Sequence, residues 1–518
     1  MAALRINQIL HTVTWRIWLF ERRTSVRLSH KSVGGKKVTP SSLSNDSSHI
    51  SSELVNYIQK IIRCFSSNYS VACMGTKQTK STPEIVIDME PDRLSSLPDH
   101  VIDKILSCLP IKEAVGTSVL SSQWNNQWYT VSRLVFDTDC VSMSHSEDPT
   151  LFNSKFLQIV NHVLLLHSGP IIKFEICNYN DSFTIVIPKI EIDRWIHHLI
   201  GRSVQKLVLE VWIEKGYQIP CRLFSCQSLR TLKLFWCSVK PPTKFKGFKN
   251  LKTLQLEEIT ISQDAFENLI SGCLLLENLI LANLDGITQI NIHAPNLKFL
   301  EILDTFEDIS FDETFRLTDV YVSLSSYLNS ESNQSRLHGG SSNLLKFFDH
   351  RRHIQDLEIN NYFLKYLTAG VVPVKLPTLL KRLLSLSICI NFDDLKEISA
   401  ALCLLRSSSN LQTLEISARI EQHSAPLTPI NDIYCWEEIF LKPETPIQVR
   451  NVKIKNISGF QLELDFIRFL LLNLPVLKKM TVKPIVNVRP ELVTGLIRFK
   501  RESRDAEVIY NVEDSDDD

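Results

Sequence analysis

The sequence predicts an α/β chain (α+β overall): a small N-terminal module of three short helices, then a curved solenoid of parallel strands. Two observations predict it. Apolar residues recur at helical spacing in short stretches between residues 94 and 128, and the pattern Leu-x-x-Leu-x-Leu returns every 20 to 25 residues from Val204 onward. With 518 residues the chain has room for several domains.

The first stretch, residues 1–91, is set apart by composition. Its first 73 residues hold Arg5, Arg16, Arg22, Arg23, Arg27 and five further Lys or Arg against Glu21, Asp46 and Glu53, and Ser crowds positions 41 to 52. That composition suits an organelle transit peptide. A disordered basic tail, or an extension upstream of a start at Met74 or Met89, is the preferred reading.

Residues 92–137 carry the helices. Pro98 stands at a first helical position, where a missing N–H costs nothing. Val101, Ile102, Ile105, Leu106 and Leu109 follow at helical spacing, and Pro110 ends the helix. A second helix from Ile111 places Ala114, Val115 and Val119 on one face, and Trp124 and Trp128 one turn apart suggest a third. A unit of about 40 residues rarely folds unaided, so its leftover apolar face calls for a partner. The stripe expected to be exposed is Leu97, Pro98, Ile102, Ile105, Leu109 and Pro110.

Residues 138–435 form the repeating array. Its clearest units begin at Val204, Leu229, Leu251, Leu276, Leu297 and Leu317, spaced by 25, 22, 25, 21 and 20 residues. That period with that pattern marks a leucine-rich repeat, one short strand and a return segment per unit. Weaker units start at Ile354, Leu383, Leu411, Val449 and Leu477. Upstream, Phe156–Leu166 reads as a helix, and Ile171–Ile176 and Phe183–Ile187 as strands that begin the same sheet. Residues 323–343 read as a long loop. Alternation sends the residues between the leucines to the concave surface: Val208, Glu210, Lys233, Phe235, Gln255, Glu257, Ile280, Glu301, Leu303, Tyr321 and Ser323. Aromatic and acidic residues with one lysine suit a protein partner better than nucleic acid. Glu210, Lys233, Phe235, Gln255, Glu257, Glu301 and Tyr321 are the candidate target-binding residues.

After the array, residues 436–508 read as strand (449–454), helix (463–473) and strand (477–482), a unit like the repeats before it. The last stretch, 509–518, is an acidic tail.

Composition excludes several function classes. Lys plus Arg and Asp plus Glu are 57 each, so no global field favours nucleic acid or a membrane surface. No apolar run is long enough to span a bilayer. The twelve cysteines form no Cys-x-x-Cys pair, and Cys108, Cys237, Cys273 and Cys389 lie in apolar runs, as buried reduced thiols do. No P-loop, G-x-G-x-x-G, G-x-S-x-G or H-E-x-x-H occurs, so no nucleotide, nucleophile or zinc motif is present. His197-His198 and His350/His353 lack neighbouring ligands at metal spacing.

Leu97-Pro98, Val101-Ile102, Ile105-Leu106, Leu109-Pro110, Lys112–Val115, Thr117–Ser121 and Trp124 closely resemble an F-box. The resemblance departs at Ser122, Gln123, Asn125 and Asn126, where the family usually carries basic residues. It implies a module that docks onto a Skp-type adaptor and, through it, a cullin-based ubiquitin ligase. Leu97, Pro98, Val101, Ile102, Ile105, Leu106, Leu109, Pro110, Ala114, Val115, Leu120 and Trp124 would be the adaptor-binding residues. Trp436, Pro446, Val449–Ile454, Gly459, Glu463-Leu464, Phe466, Phe469–Leu471 and Val476–Val482 resemble the FBD domain that follows leucine-rich repeats in a plant F-box family; here Asn473-Leu474-Pro475 replaces its usual Asn-Ala. Together these imply a non-catalytic substrate receptor of the cytoplasm or nucleus, without cofactor. A non-degradative scaffold or inhibitor and a small-molecule co-receptor are the alternatives.

Overall fold

The structure is a computed structural model and describes residues 97–141, 149–177, 186–213, 216–325, 342–349, 353–419, 439–444, 446–485 and 490–511. The basic extension, most of the 323–343 loop, Trp436 and the acidic end beyond 511 lie outside the described residues. Two compact units result. Among the described residues, one comprises 97–140 with 160–169, the other 141–159 with 170–511.

In the first unit, α1 (Asp99–Leu106) and α2 (Ile111–Gly116) are separated by Pro110, which cannot continue a helix. Pro98 is the residue before α1 rather than its first position, with extended ψ. The expected third helix is absent. Trp124 sits in turns, followed by a 3₁₀ turn, Gln127–Thr130, and β1 (Arg133–Phe136). Ser121, Ser122, Asn125 and Asn126 explain this, because their short polar side chains compete with helical hydrogen bonding. Ile102, Leu106, Ile111, Ala114, Trp124, Val131, Leu134 and Phe136 form the core. Gln123 Nε2 donates to Leu97 O (3.0 Å), which ties the Trp124 turn to the start of α1. The buried His167 ring lies 2.8 Å from Val131 O. Gly169 packs where a Cβ would meet Thr130 O at 2.7 Å, so only glycine admits this approach.

The second unit begins with α3 (Pro149–Leu166, shared with the first), β2 (Lys173–Cys177), β3 (Val186–Ile187) and α4 (Lys189–Gly201). The repeats follow: β4 (Lys206–Glu210), β5 (Trp212–Ile213), β6 (Thr231–Phe235), β7 (Thr253–Glu257), α5 (Gln263–Ser271), β8 (Asn278–Ala282), β9 (Gln289–His293), β10 (Phe299–Asp304), β11 (Asp308–Asp312) and β12 (Asp319–Leu324). Next come α6 (Asn343–Phe348), β13 (Asp356–Asn361), α7 (Phe363–Leu367), β14 (Ser385–Ile390), α8 (Leu395–Ser407) and β15 (Thr413–Ala418). The chain closes with β16 (Asn451–Ile457), α9 (Gln461–Asn473), β17 (Lys479–Pro484), α10 (Pro490–Arg498) and β18 (Glu507–Tyr510).

One open parallel sheet runs β2-β4-β6-β7-β8-β10-β12-β13-β14-β15-β16-β17-β18. Register follows the repeat: Leu207, Leu232, Leu254, Leu279, Leu300 and Val320 pair in line. These residues are 2% exposed or less, since alternation turns them toward the return segments. Each strand therefore depends on its neighbours to complete its core. Several units leave their strand through a residue in the left-handed region, Trp236, Glu258, Asn283, Asn361 and Asn456. Asparagine suits this, and Asn361 and Asn456 each bond back to a serine hydroxyl of the preceding unit.

Three expectations are corrected. Val186–Ile187 pairs with Trp212–Ile213 in a separate two-stranded sheet, not the main one, and β9 and β11 form another. Cys108 is exposed and Cys389 half-buried, whereas Cys237 and Cys273 are interior, where burial pushes their thiols up to about 12 and about 11. Strand β18 occupies the start of the segment read as an acidic tail and pairs with β17.

The start of α9 rests on one buried carboxylate. Glu463 accepts from Ser458 N (3.0 Å), Gly459 N (2.6 Å) and Phe460 N (2.9 Å). Burial pushes its carboxyl up and the three N–H groups oppose that. Glu463→Ala leaves these donors unpaired, an expected loss of about 3 kcal/mol. A fall in the urea midpoint at unchanged slope is the measurement; a parental midpoint would show that water replaces the carboxylate without cost.

Candidate binding surfaces

In the first unit, helical geometry divides the adaptor candidates into two sets. Leu97, Ile102, Leu106, Ala114 and Trp124 point inward, at 8%, 0%, 0%, 0% and 2% exposure, so Leu97 and Ile102 are not part of an exposed stripe. Neighbouring residues on a helix lie about 100° apart, which turns Val101 and Ile105 away from Ile102 and Leu106. Pro98 is exposed, and Val101, Ile105, Leu109, Pro110, Val115 and Leu120 are half-buried. Residues 98, 101, 105 and 109 thus form a continuous outward stripe along α1 and its C-terminal turn. Val119, absent from the candidate set, is 69% exposed. The Oγ atoms of Ser118 and Ser121 beside it are shielded and have no hydrogen-bond partner.

In the second unit, the outward positions of the sheet align into columns. Register places Lys233 beside Gln255, Gln255 beside Ile280, Ile280 beside Glu301 and Glu301 beside Tyr321. Glu257 lies beside Phe235 in the next column. Val208, expected at the surface, is 1% exposed. Lys233 bridges to Glu210 at 3.4 Å, and Gln255 Nε2 donates to Glu257. Glu301 is exposed; the other target candidates are half-buried.

Aromatic rings lie on this face (Phe235, Phe299 and Tyr321) and beside it (Trp236, and Trp212 of the separate β3–β5 sheet). Trp212 and Trp236 lie 3.9 Å apart by centroid, Phe235 is 6.1 Å from Trp236, and Phe299 is 5.3 Å from Tyr321. Burial and the surrounding carboxylates Asp356, Asp319, Glu358 and Glu301 push the Tyr321 phenol up to about 12. Burial, then Glu257 and Glu358, raises the Glu301 carboxyl. Asp319, Asp356 and Glu358 were not among the candidates; carrying strand alternation into the weaker units would have found Glu358. Trp236 sits one residue past its strand, where alternation gives no signal.

No helix among the described residues is long and apolar enough to cross a membrane. The F-box family model matches residues 94–136, and the model of the leucine-rich repeats of FBD-associated F-box protein At5g56370 matches 192–416. The chain is 35% identical over 430 residues to the F-box/FBD/LRR-repeat protein At1g13570 of Arabidopsis thaliana, covering 81% of this chain and 98% of that protein. It is 27% identical over 462 residues to the FBD-associated F-box protein At1g66310 of the same plant, covering 82% of this chain and 96% of that protein. The F-box match falls on the helices with the outward apolar stripe, and the repeat match falls on the parallel sheet. The chain belongs to the plant F-box/FBD/LRR-repeat family.

Proposed function

We propose that the chain is the substrate-recognition subunit of an SCF-type ubiquitin ligase and carries no catalytic group of its own. The F-box docks a Skp-type adaptor, and through it a cullin; the repeat array and the segment after it hold a target protein. The carrying observation is the outward stripe of Pro98, Val101, Ile105, Leu109 and Pro110, with Val119, within the F-box match. Apolar side chains left on the surface of so small a module gain by burial against a partner. Leu97, Ile102, Leu106, Ala114 and Trp124 act one step back, as the core that holds the stripe.

The second half of the reading rests on the outward face of the sheet. Phe235 and Tyr321 supply aromatic anchors and Glu257 and Glu301 supply charge, the combination that protein interfaces use. The ligase gains rate because both partners sit on one chain, which raises the target's effective concentration near the ubiquitin donor.

Co-expression with a Skp-type adaptor tests the reading. A one-to-one complex that survives gel filtration is expected, and it should enter a cullin assembly when cullin is added. Elution of the two chains as separate species would overturn the ligase assignment. A complex that excludes cullin would favour the inhibitor reading.

A further inference from the structure

The outward face of the sheet is divided by charge. From β7 to β13 its charged outward residues are all acids: Glu257, Glu301, Asp319, Asp356 and Glu358. On β16 and β17 they are all lysines, Lys453, Lys455, Lys479 and Lys483, of which Lys455 is already paired with Glu415 of β15 at 2.5 Å. Glu257, Glu301 and Glu358 have no cation beside them among the described residues. The carboxylates stand on different strands, and no three of them converge as metal ligands do among the described residues. A diffuse acidic surface of this kind suits several separate cations. Beside Glu257, Gln255 Oε1 is shielded from solvent and has no donor, so one acceptor at the edge of the patch is unmatched.

We propose that the face from β7 to β13 takes an extended segment of the target bearing clustered Arg or Lys side chains. This deepens the proposed function and rests on the array being its target-binding part. Arginine is the better fit of the two, because its planar fork can bond a carboxylate and stack on Tyr321 or Phe299 at once. The lysines of β16 and β17 mark where that acidic face ends.

Fluorescence anisotropy with the full chain tests this. The probe is a labelled peptide of three arginines in a Gly/Ser chain of about ten residues. Affinity is expected to fall at least tenfold in Glu301→Gln with Glu358→Gln, and to be unchanged in the control pair Glu491→Gln with Glu502→Gln, which lies on neither patch. Equal loss in the control pair, or equal binding of a peptide whose arginines are replaced by glutamates, would overturn the proposal. A photo-crosslinking version on the parent chain needs no variant to fold: crosslinks on β10 to β13 support the site, and crosslinks confined elsewhere refute it. Adaptor co-purification keeps the two proposals apart. Peptide binding without adaptor binding refutes the ligase reading alone, and adaptor binding without peptide binding refutes the basic-segment reading alone.

Discussion

Aspartate at both Val101 and Ile105 is expected to weaken capture of a Skp-type adaptor at least a hundredfold while the thermal transition of the full chain stays where it was. Both side chains are half-buried in the free chain and lie on the outward stripe of α1. Each would lose an apolar contact worth about 2 kcal/mol at an interface anchor and would add a charge that docking must desolvate. In the free chain water can still reach both positions, so folding loses little. Ile102→Ala should behave oppositely. Ile102 is fully buried, and its truncation leaves a cavity expected to cost about 2–5 kcal/mol, so adaptor capture falls only as the unit unfolds. Measuring adaptor affinity and thermal stability side by side on both variants separates contact from scaffold. Undiminished capture by the double aspartate variant would move the docking surface off α1.

This division between Val101 and Ile102 was not legible in the sequence. A family motif marks residues that hold the module together and residues that meet its partner alike, and both sets here are aliphatic. Only the 100° step between neighbours, fixed by where the rest of the unit packs, sorts them. The Trp124–Trp128 spacing suggested a third helix because periodicity counts apolar positions and overlooks the Ser and Asn between them. The strands were legible for the opposite reason. Every unit must bury the same two alternating positions against its neighbours, so Leu207 and Leu209 recur as Leu232 and Leu234 and onward through Met480 and Val482. The pairs β9–β11 and β3–β5 lie in the returns, which carry no such constraint; a strand was expected at Phe183–Ile187, but its partner was not. Charge division of the outward face was within reach, since it needed only the same alternation carried through to β17.

The largest stability effect outside the F-box is expected at Arg419. It leaves β15 and donates from Nη2 to Glu397 Oε1 at 2.6 Å; its Nη1 donates to Asn361 O, and its guanidinium lies 4.6 Å from the Tyr362 ring centroid. Glu397, on α8, has a fully buried side chain, and its second oxygen accepts from Asn391 N at 2.9 Å. Burial raises the Glu397 carboxyl, and Arg419 opposes that rise. Arg419→Ala strands the carboxylate in the interior, which typically costs about 3–5 kcal/mol. The pH dependence carries a sign that a simple loss of packing would lack. A carboxyl whose folded pKa is raised contributes stability that is present below the unfolded value, 4.5, and lost as pH rises through the folded value. Removing Arg419 widens that shift, so the deficit of the variant should be greatest near neutral pH and shrink as pH falls toward 4.5. Adding Glu397→Gln to Arg419→Ala should restore part of the stability at neutral pH, because it removes the stranded charge. Urea unfolding of the parent chain and the two variants across that pH range is the measurement. A deficit independent of pH, or a double variant no more stable than Arg419→Ala, would show that Arg419 acts through its packing on Tyr362 and its bond to Asn361 and not through the charge of Glu397.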